Sequence, residues 1–275
     1  TQSRSSAASD VYKRQSLCTT QDFHTLLELR QLGCALWLIG DPSSQLLAIG
    51  DHWHSADLTG DISETVMLRS AADCCRCVFS EPKRCDARLF AFLSQIAYGP
   101  ELPLETLMEQ CRAAFPAKGR PADTNLTLSH VTRKRVITIA QRRKLRRDKP
   151  AAYLTLEGLP PLGQKLYVYP TVPLIVCLQT ARHNLFNSQL LICQSYDATH
   201  VVAEDPESGE THSLSHEFVR TACRSGHAYT IASCQGRQYA GSVALWDTRA
   251  RHWSKRHAHT ALSRARAWGA LSIED

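Results

Sequence analysis

The chain has 275 residues, 43% of them hydrophobic and 21% charged, at a formal net charge of +6; this is too apolar for a disordered chain and supplies core enough for one or two domains. Its longest apolar runs, residues 34–39 and 172–178, fall far short of the ~20 residues of a membrane-spanning helix, so no membrane partner is expected, and the mild positive charge permits a polyanionic partner without requiring one. Eleven cysteines, an odd number without the paired spacings of a disulfide scaffold, point to a reducing compartment and so to an intracellular protein of the nucleus or cytoplasm.

Residues 5–15 read SSAASDVYKRQ, which resembles the in-frame translation of a transposase adapter used to build sequencing libraries. On that reading the stretch is a disordered fusion scar with no part in the fold, and the start at Thr1 is an accident of a read; a natural Ser-rich tail is the alternative. From 20 to 32, Phe23, Leu26, Leu27 and Leu29 recur at helical spacing and Gly33 follows as a stop, which predicts an amphipathic helix. Residues 35–39 read as a buried strand ending at Gly40-Asp41. Ligands of open α/β sheets gather at such strand ends, so the polar loop 41–45 is a candidate site. Further short strands are expected at 77–80, 126–129, 228–232, 242–246 and 270–273, with helical segments between several of them, a pattern that argues for a parallel sheet covered on both faces. Between about 163 and 220 the texture is β-rich, with turn signals at Asn187-Ser188 and at residues 206–209, and predicts a small β-barrel-like insertion.

Near the end the chain reads GHAYTIASCQGRQYAGSVALWDTRARHWSKRHAHTALSRARAWGALSI, residues 226–273. This resembles the closing region of superfamily 1 helicases of the RecD-like or UvrD-like type. The family's penultimate motif, Ala-x-Thr-x-His-Lys-x-Gln-Gly, is matched by Ala228, Thr230, Gln235 and Gly236, and its last motif, Ala-Leu-Ser-Arg-Ala, by residues 261–265. Two motifs in order are a stronger signal than either alone. Upstream, LWLIGDPSSQLLAIGDHW, residues 36–53, resembles the family's Gly-Asp-x-x-Gln motif with Gln45 one residue late, so Gln45 or Ser44 takes the nucleotide-facing position. VFSEPKRCDARLFAFLSQI, residues 78–96, resembles the motif whose arginine precedes an Asp-x-x-Leu/Phe helix and points to Arg84. NLTLSHVTRKRV, residues 125–136, is similar to the segment in which Ser-His opens a loop facing nucleic acid.

The resemblance implies an α/β fold with two RecA-like domains: 16–60 as the remnant of the first, 61–160 with 221–275 as the second, and 161–220 as an inserted SH3-like barrel. It implies an ATP-dependent helicase that moves 5′ to 3′ on single-stranded DNA, with ATP and Mg2+ as cofactors. Nucleoside triphosphate hydrolysis rests on positioning and cationic stabilisation of the transferring phosphoryl group. A planar guanidinium suits that task, so Arg264 would be the arginine finger and Arg84 a second cation. Gln45 would sense the γ-phosphate, and Gly40, Asp41 and Gly236 would shape the nucleotide cleft. Ser129, His130, Thr230 and Gln235 would contact the phosphate backbone of the strand. One departure stands out. The family's His-Lys is Ala232-Ser233 here, so an imidazole and a cation are absent from that motif.

No G-x-x-x-x-G-K-[ST] sequence occurs, and no Asp-Glu pair precedes residue 16. The chain alone is therefore expected not to hydrolyse ATP, the magnesium and phosphate ligands belonging largely to a missing amino-terminal part. Two other readings stand beside the DNA helicase: a viral-type RNA helicase of the same superfamily, and a non-enzymatic nucleic-acid-binding module. The basic run RRKLRRDK, residues 142–149, reads either as a solvated helix face or as a nucleic-acid or nuclear-address segment. Cys74, Cys75, Cys77 and Cys85, with His52 and His54, lack the two-residue gap of a zinc knuckle and read as reduced thiols, so no metal site is assigned to them. His252, His257 and His259, just before the last motif, read as a polar loop.

Overall fold

The computed structural model describes residues 20–36, 38, 52–53, 56–57, 66–72, 81, 83–159, 164–178 and 184–275. The 5–15 stretch, the expected strand at 77–80 and the loop at 40–45 lie outside them. In chain order the helices are α1 (Thr20–Gln31), α2 (Val66–Ala71), α3 (Ala87–Tyr98), α4 (Leu104–Ala114), α5 (His130–Asp148), α6 (His216–Ala222) and α7 (Lys255–Leu262). The strands are β1 (His52–Trp53), β2 (Ala56–Asp57), β3 (Thr124–Thr127), β4 (Leu154–Glu157), β5 (Lys165–Val168), β6 (Pro173–Val176), β7 (Leu190–Tyr196), β8 (His200–Glu204), β9 (Thr211–Ser215), β10 (Cys223–Ser225), β11 (Ala228–Thr230), β12 (Val243–Leu245) and β13 (Leu271–Ile273). These elements fall into two units. One holds the chain up to Cys111 with residues 235–238 and 252–269; the other holds 112–234, 239–251 and 270–275.

In the first unit, α1 forms where the sequence pattern put it. Gly33 ends it at φ +86, where the Cys34 N–H bonds back to the Leu29 carbonyl and the Gly33 N–H to that of Arg30, a left-handed closure that glycine enters without penalty. Phe23 and Leu26 are buried against Leu36, Leu38 and Leu68, and Arg30 Nη1 donates to the Ala71 carbonyl at 2.9 Å, so α1 and α2 pack as a pair. The strand expected at 35–39 is not seen in its described residues, since Ala35, Leu36 and Leu38 are neither helix nor strand. Leu36 and Leu38 cover the apolar face of α1 instead, an outcome that periodicity alone cannot separate from a buried strand.

Further along the same unit, Asp86 caps α3 by accepting from the Leu89 N–H at 2.8 Å, and Leu89, Leu93 and Ile96 bury one stripe of the helix. Helix α7 packs against α3. Trp268 joins the two segments: its ring meets Phe92 edge-on at 5.4 Å, the Arg88 guanidinium lies 4.2 Å above it, and its N–H donates to Asp86.

The second unit contains the parallel sheet. Its order is β11-β3-β12-β13 and every neighbouring pair is parallel, so the strands expected near 126–129, 228–232, 242–246 and 270–273 lie in one sheet. All four are buried along their whole length, as strands covered on both faces must be. Asn125, wholly buried within β3, is satisfied on every side: Nδ2 donates to the carbonyls of Ala122 and His227, while Oδ1 accepts from the Ala122 N–H and from Trp246 Nε1. One polar side chain thus ties together residues flanking three strands, at a site where an unpaired amide would cost ~1–3 kcal/mol. Helix α5 lies against β3 and β11 and buries Val136 and Ile137 on Ala228.

Residues 173–225 form an antiparallel sheet in the order β10-β6-β7-β8-β9, and β4 pairs with β5 as a separate hairpin. Among the described pairings β9 and β10 are the sheet's edges. The turn foreseen at 206–209 links β8 to β9, with the Asp205 carboxylate holding the Glu207 N–H and Gly209 at φ +74. The turn foreseen at Asn187-Ser188 precedes β7, with Ser188 at φ 71. Leu166, Val168, Leu174, Val176, Leu191 and Val201 fill the core beneath this sheet, and Leu145 of α5 packs onto it. Among the described residues no helix is long and apolar enough to cross a membrane.

Candidate functional site

The parallel pairing of β3 with β11 sets Thr127 opposite Thr230, so the chain leaves both strands at the same edge of the sheet, the edge where ligands of such sheets gather. Just beyond β3, Ser129 caps α5, its Oγ accepting from the Thr132 N–H at 3.1 Å. The Asp247 carboxylate, just beyond β12, accepts from both the N–H and the Oγ of Ser129 at 3.0 Å. Asp247 holds φ 64, a left-handed conformation that Asp tolerates better than most residues. His130 is exposed on the first turn of α5; slight desolvation, then the charges of Arg133 and Lys134, hold its imidazole below the ordinary histidine range. Beyond β11, Thr230 is 8% exposed. Its Oγ1 donates to Ser233 Oγ at 3.1 Å, and that hydroxyl donates back to the Thr230 carbonyl at 2.9 Å.

Three of the four residues assigned to nucleic acid, Ser129, His130 and Thr230, therefore share one edge of one sheet. The edge carries hydroxyls, main-chain N–H groups and one imidazole, and the Asp247 carboxylate occupies part of the positive end of α5. Sequence reasoning missed Asp247. The signal available was a short acidic residue directly after a buried strand. Ala232, which stands at the family's histidine position, is exposed in the 3-10 turn Ala232–Cys234, and Ser233 stands at the lysine position, so that turn offers no charge.

The fourth residue, Gln235, is buried and belongs with Gly236, Arg84 and Arg264 in the first unit. Gly236 turns the chain at φ +84, a conformation that suits glycine and strains other residues. The carbonyl of the next residue, Arg237, accepts from Arg264 Nη1 at 3.0 Å, and Gln238 Nε2 donates to the Arg84 carbonyl at 3.0 Å. The segment 235–238 is thus the piece that joins Arg84 to Arg264. Arg264 is 4% exposed. Its Nε donates to the Thr260 carbonyl at 2.8 Å and its Nη2 to Ser263 Oγ at 2.8 Å. The Arg84 side chain is exposed.

Gly40, Asp41 and Gln45 lie outside the described residues, as do Cys74, Cys75 and Cys77. Among the described residues no group of three or more His, Cys, Asp or Glu is arranged to hold a metal ion, and the described cysteines, Cys85 included, are free thiols. Of the histidines before the last motif, His257 and His259 lie on α7. His257 Nδ1 pairs with Ser254 Oγ at 2.7 Å.

No protein-family model matches the chain, and no curated protein matches it. Solved structures do. A Pif1 helicase from Bacteroides in complex with ADP-AlF3 and ssDNA is 13% identical at a TM-score of 0.47, covering 71% of this chain and 51% of that one. A structure of DNA unwinding at forked dsDNA by two coordinating Pif1 helicases is 12% identical at a TM-score of 0.45, with 71% and 48% covered. Pif1 helicase from Candida albicans is 15% identical at a TM-score of 0.44, with 69% and 53% covered. The chain thus spans about half the length of the solved structures it matches.

Proposed function

We propose that this chain is the nucleic-acid-facing, carboxy-terminal part of an ATP-dependent DNA helicase of superfamily 1, with the parallel-sheet region in the role of the second RecA-like domain and the antiparallel sheet as the counterpart of an inserted SH3-like barrel. The observation that carries the reading is the pairing of β3 with β11. It sets the Ser129-His130 loop beside the Thr230-Ser233 turn at the carboxyl edge of a parallel sheet, in the order and on the strands that the motif series implies. A single DNA strand lies across this edge, its phosphates meeting the main-chain N–H groups of His130 and Val131 at the start of α5 and the imidazole of His130, with the Ser233 hydroxyl turning from the Thr230 carbonyl to donate to a phosphate oxygen. Arg84, Gly236 and Arg264 belong to the nucleotide side, with ATP and Mg2+ held by a P-loop that this sequence does not carry; the 275-residue chain by itself has no ATP turnover, and movement is 5′ to 3′.

The test is anisotropy of a labelled oligothymidylate titrated with the chain. Ser233→Asp, which puts a carboxylate at the strand edge, weakens binding at least 10-fold, whereas equal affinity for parent and variant refutes the site. A second reading, a nucleic-acid-binding module without ATPase chemistry, draws support from the commitment of Arg264 to Thr260, Arg237 and Ser263. An arginine finger needs its fork free for phosphate oxygens.

A further inference from the structure

The charge of this protein is concentrated in one helix. Helix α5 holds Arg133, Lys134, Arg135, Arg142, Arg143, Lys144, Arg146 and Arg147 against Asp148 alone, eight positive charges against one negative, or +7, where the whole chain sums to +6. The remainder of the sequence is therefore close to neutral. Arg133 is 5% exposed and turned inward, while Lys144 and Arg147 approach Asp148 at 3.9 and 3.0 Å. Arg135, Arg142, Arg143 and Arg146 are exposed, and among the described residues none of them has an acidic partner. At 100° per residue Arg135, Ile139, Arg142 and Arg146 fall on one stripe about 16 Å long. Like charges at i,i+3 and i,i+4, such as Arg142 with Arg146 and Arg143 with Arg146, work against a helix by a few tenths of a kcal/mol per pair. Among the described residues no acidic side chain pairs with these four arginines to offset this cost.

Beside the stripe stands the β4–β5 hairpin, whose strand β5 contacts α5. Tyr153, 48% exposed, meets Tyr167 edge-on at 5.8 Å, and Lys165 Nζ lies 6.0 Å from the Tyr167 ring, within reach of the Arg142 charge. Cations tracking a backbone with an aromatic face next to them are the two parts of a single-strand binding surface. A duplex hides its base faces and has no use for the tyrosine. A bilayer interface would need more apolar area than the two exposed apolar side chains of this helix, Val131 at 80% and Ile139 at 41%, supply.

We propose that the outward stripe of α5, Arg135, Arg142 and Arg146 with Arg143 beside them, together with Tyr153 on the neighbouring hairpin, is a second contact for single-stranded nucleic acid, the arginines holding phosphates and Tyr153 stacking on a base. Along α5 it runs from about 9 Å to about 26 Å beyond Ser129. It stands on the helix's own charge and does not depend on the loop site proposed above.

The test is binding of a fluorescein-labelled 20-nucleotide oligothymidylate to the full 275-residue chain across a salt series. The triple variant Arg135→Gln, Arg142→Gln and Arg146→Gln loses at least 10-fold in affinity at low salt, and the slope of log K against log salt becomes shallower by roughly two, as three lost phosphate contacts on a single strand require. The matching Arg→Lys triple keeps the slope. Tyr153→Ala weakens binding roughly five-fold or more with the slope unchanged. Thermal unfolding of each variant at or above the parent temperature keeps folding out of the comparison, and Ser233→Asp reports separately on the loop site. Parent-like affinity and slope in the Gln triple overturn the proposal. So do tighter binding of a hairpin duplex than of the single strand, or a loss confined to phosphatidylserine vesicles.

Discussion

The two sets of arginines in this protein have opposite physical situations. Arg264, which the motif order selects, is 4% exposed and spends Nε, Nη1 and Nη2 on Thr260, Arg237 and Ser263. Arg135, Arg142 and Arg146, which composition alone would pass over as a solvated helix face, are exposed and held by nothing in the described structure. A guanidinium carries five N–H donors in a fixed fork. Where those donors already point decides whether it clamps the fold or receives a ligand. Arg264 clamps the segment 235–238 to α7; the α5 stripe has its capacity in reserve.

The largest expected effect breaks the clamp. Arg264→Met removes three charge-assisted hydrogen bonds of a buried guanidinium, at a cost of about 3 kcal/mol or more. The urea midpoint of the purified variant measures it. Arg264→Lys keeps at most one of these three bonds and loses roughly half as much. In a protein joining this chain to a domain with an intact P-loop, the finger role instead requires Arg264→Lys to lower ATP turnover at least ~100-fold with ATP binding kept. A lysine variant that loses stability and no turnover makes Arg264 a clamp only.

A second effect sharpens the contrast by adding a buried cation behind the exposed ones. His227, at 5% exposure, is pushed down to about 4, chiefly by burial and then by the charge of Lys144, against the opposing pull of Asp148 and Asp123. The folded state therefore favours the neutral imidazole. Its contribution to stability is complete above the unfolded value of about 6.5 and is lost as pH falls from there towards 4, about 2 kcal/mol between pH 7.5 and pH 5. Urea midpoints of the parent and His227→Gln at the two pH values isolate this loss. A parent and variant that fall in parallel would assign the acid sensitivity elsewhere.

Much of this arrangement was legible in the sequence. The buried strands near 126, 229, 244 and 272 stood out as short apolar runs, and the parallel sheet follows from them because a strand covered on both faces has no polar side to display. The end of α1 at Gly33 and the turn at Gly209 were readable for the same local reason, a demand for positive φ. Leu36 and Leu38 were not, because a short apolar run can cover a helix or enter a sheet, and the packing of Phe23, Leu26 and Leu68 around them is not written in the run itself. The partners of Arg264 were equally hidden. Arg237 and Thr260 act through main-chain carbonyls, which every residue possesses, so no side-chain motif announces them. The Asp247–Ser129 contact is hidden in another way, for it joins the ends of two neighbouring strands more than a hundred residues apart.

At the amino end of α5 a smaller effect is expected. Ser129→Ala removes the cap on Thr132 and one of the two bonds to Asp247, and costs about 1–2 kcal/mol in the urea midpoint. Asp247→Gly removes both bonds but relieves the left-handed backbone at position 247, so it costs less than Ser129→Ala. A glycine variant less stable than the alanine one would mean that the carboxylate matters through its charge near the positive end of α5 as well as through Ser129.

The smallest effect has the opposite sign. Replacing Arg142 and Arg146 by Gln removes an i,i+4 repulsion and the i,i+3 repulsion with Arg143, while Gln keeps nearly the helix propensity of Arg. Neither arginine is buried, so no packing is lost and no hydrogen bond in the described structure is broken. The double variant is therefore more stable than the parent by a few tenths of a kcal/mol at low ionic strength, and the gain shrinks as salt screens the helix. Urea midpoints at ~20 mM and ~0.5 M salt separate this from any propensity change, which salt would leave alone. A gain in stability joined to a loss of oligonucleotide affinity is the signature of charges kept for a ligand at the expense of the fold. A loss of stability instead would mean that Arg142 or Arg146 holds a part of the chain outside the described residues, and the stripe would then be an internal contact like that of Arg264.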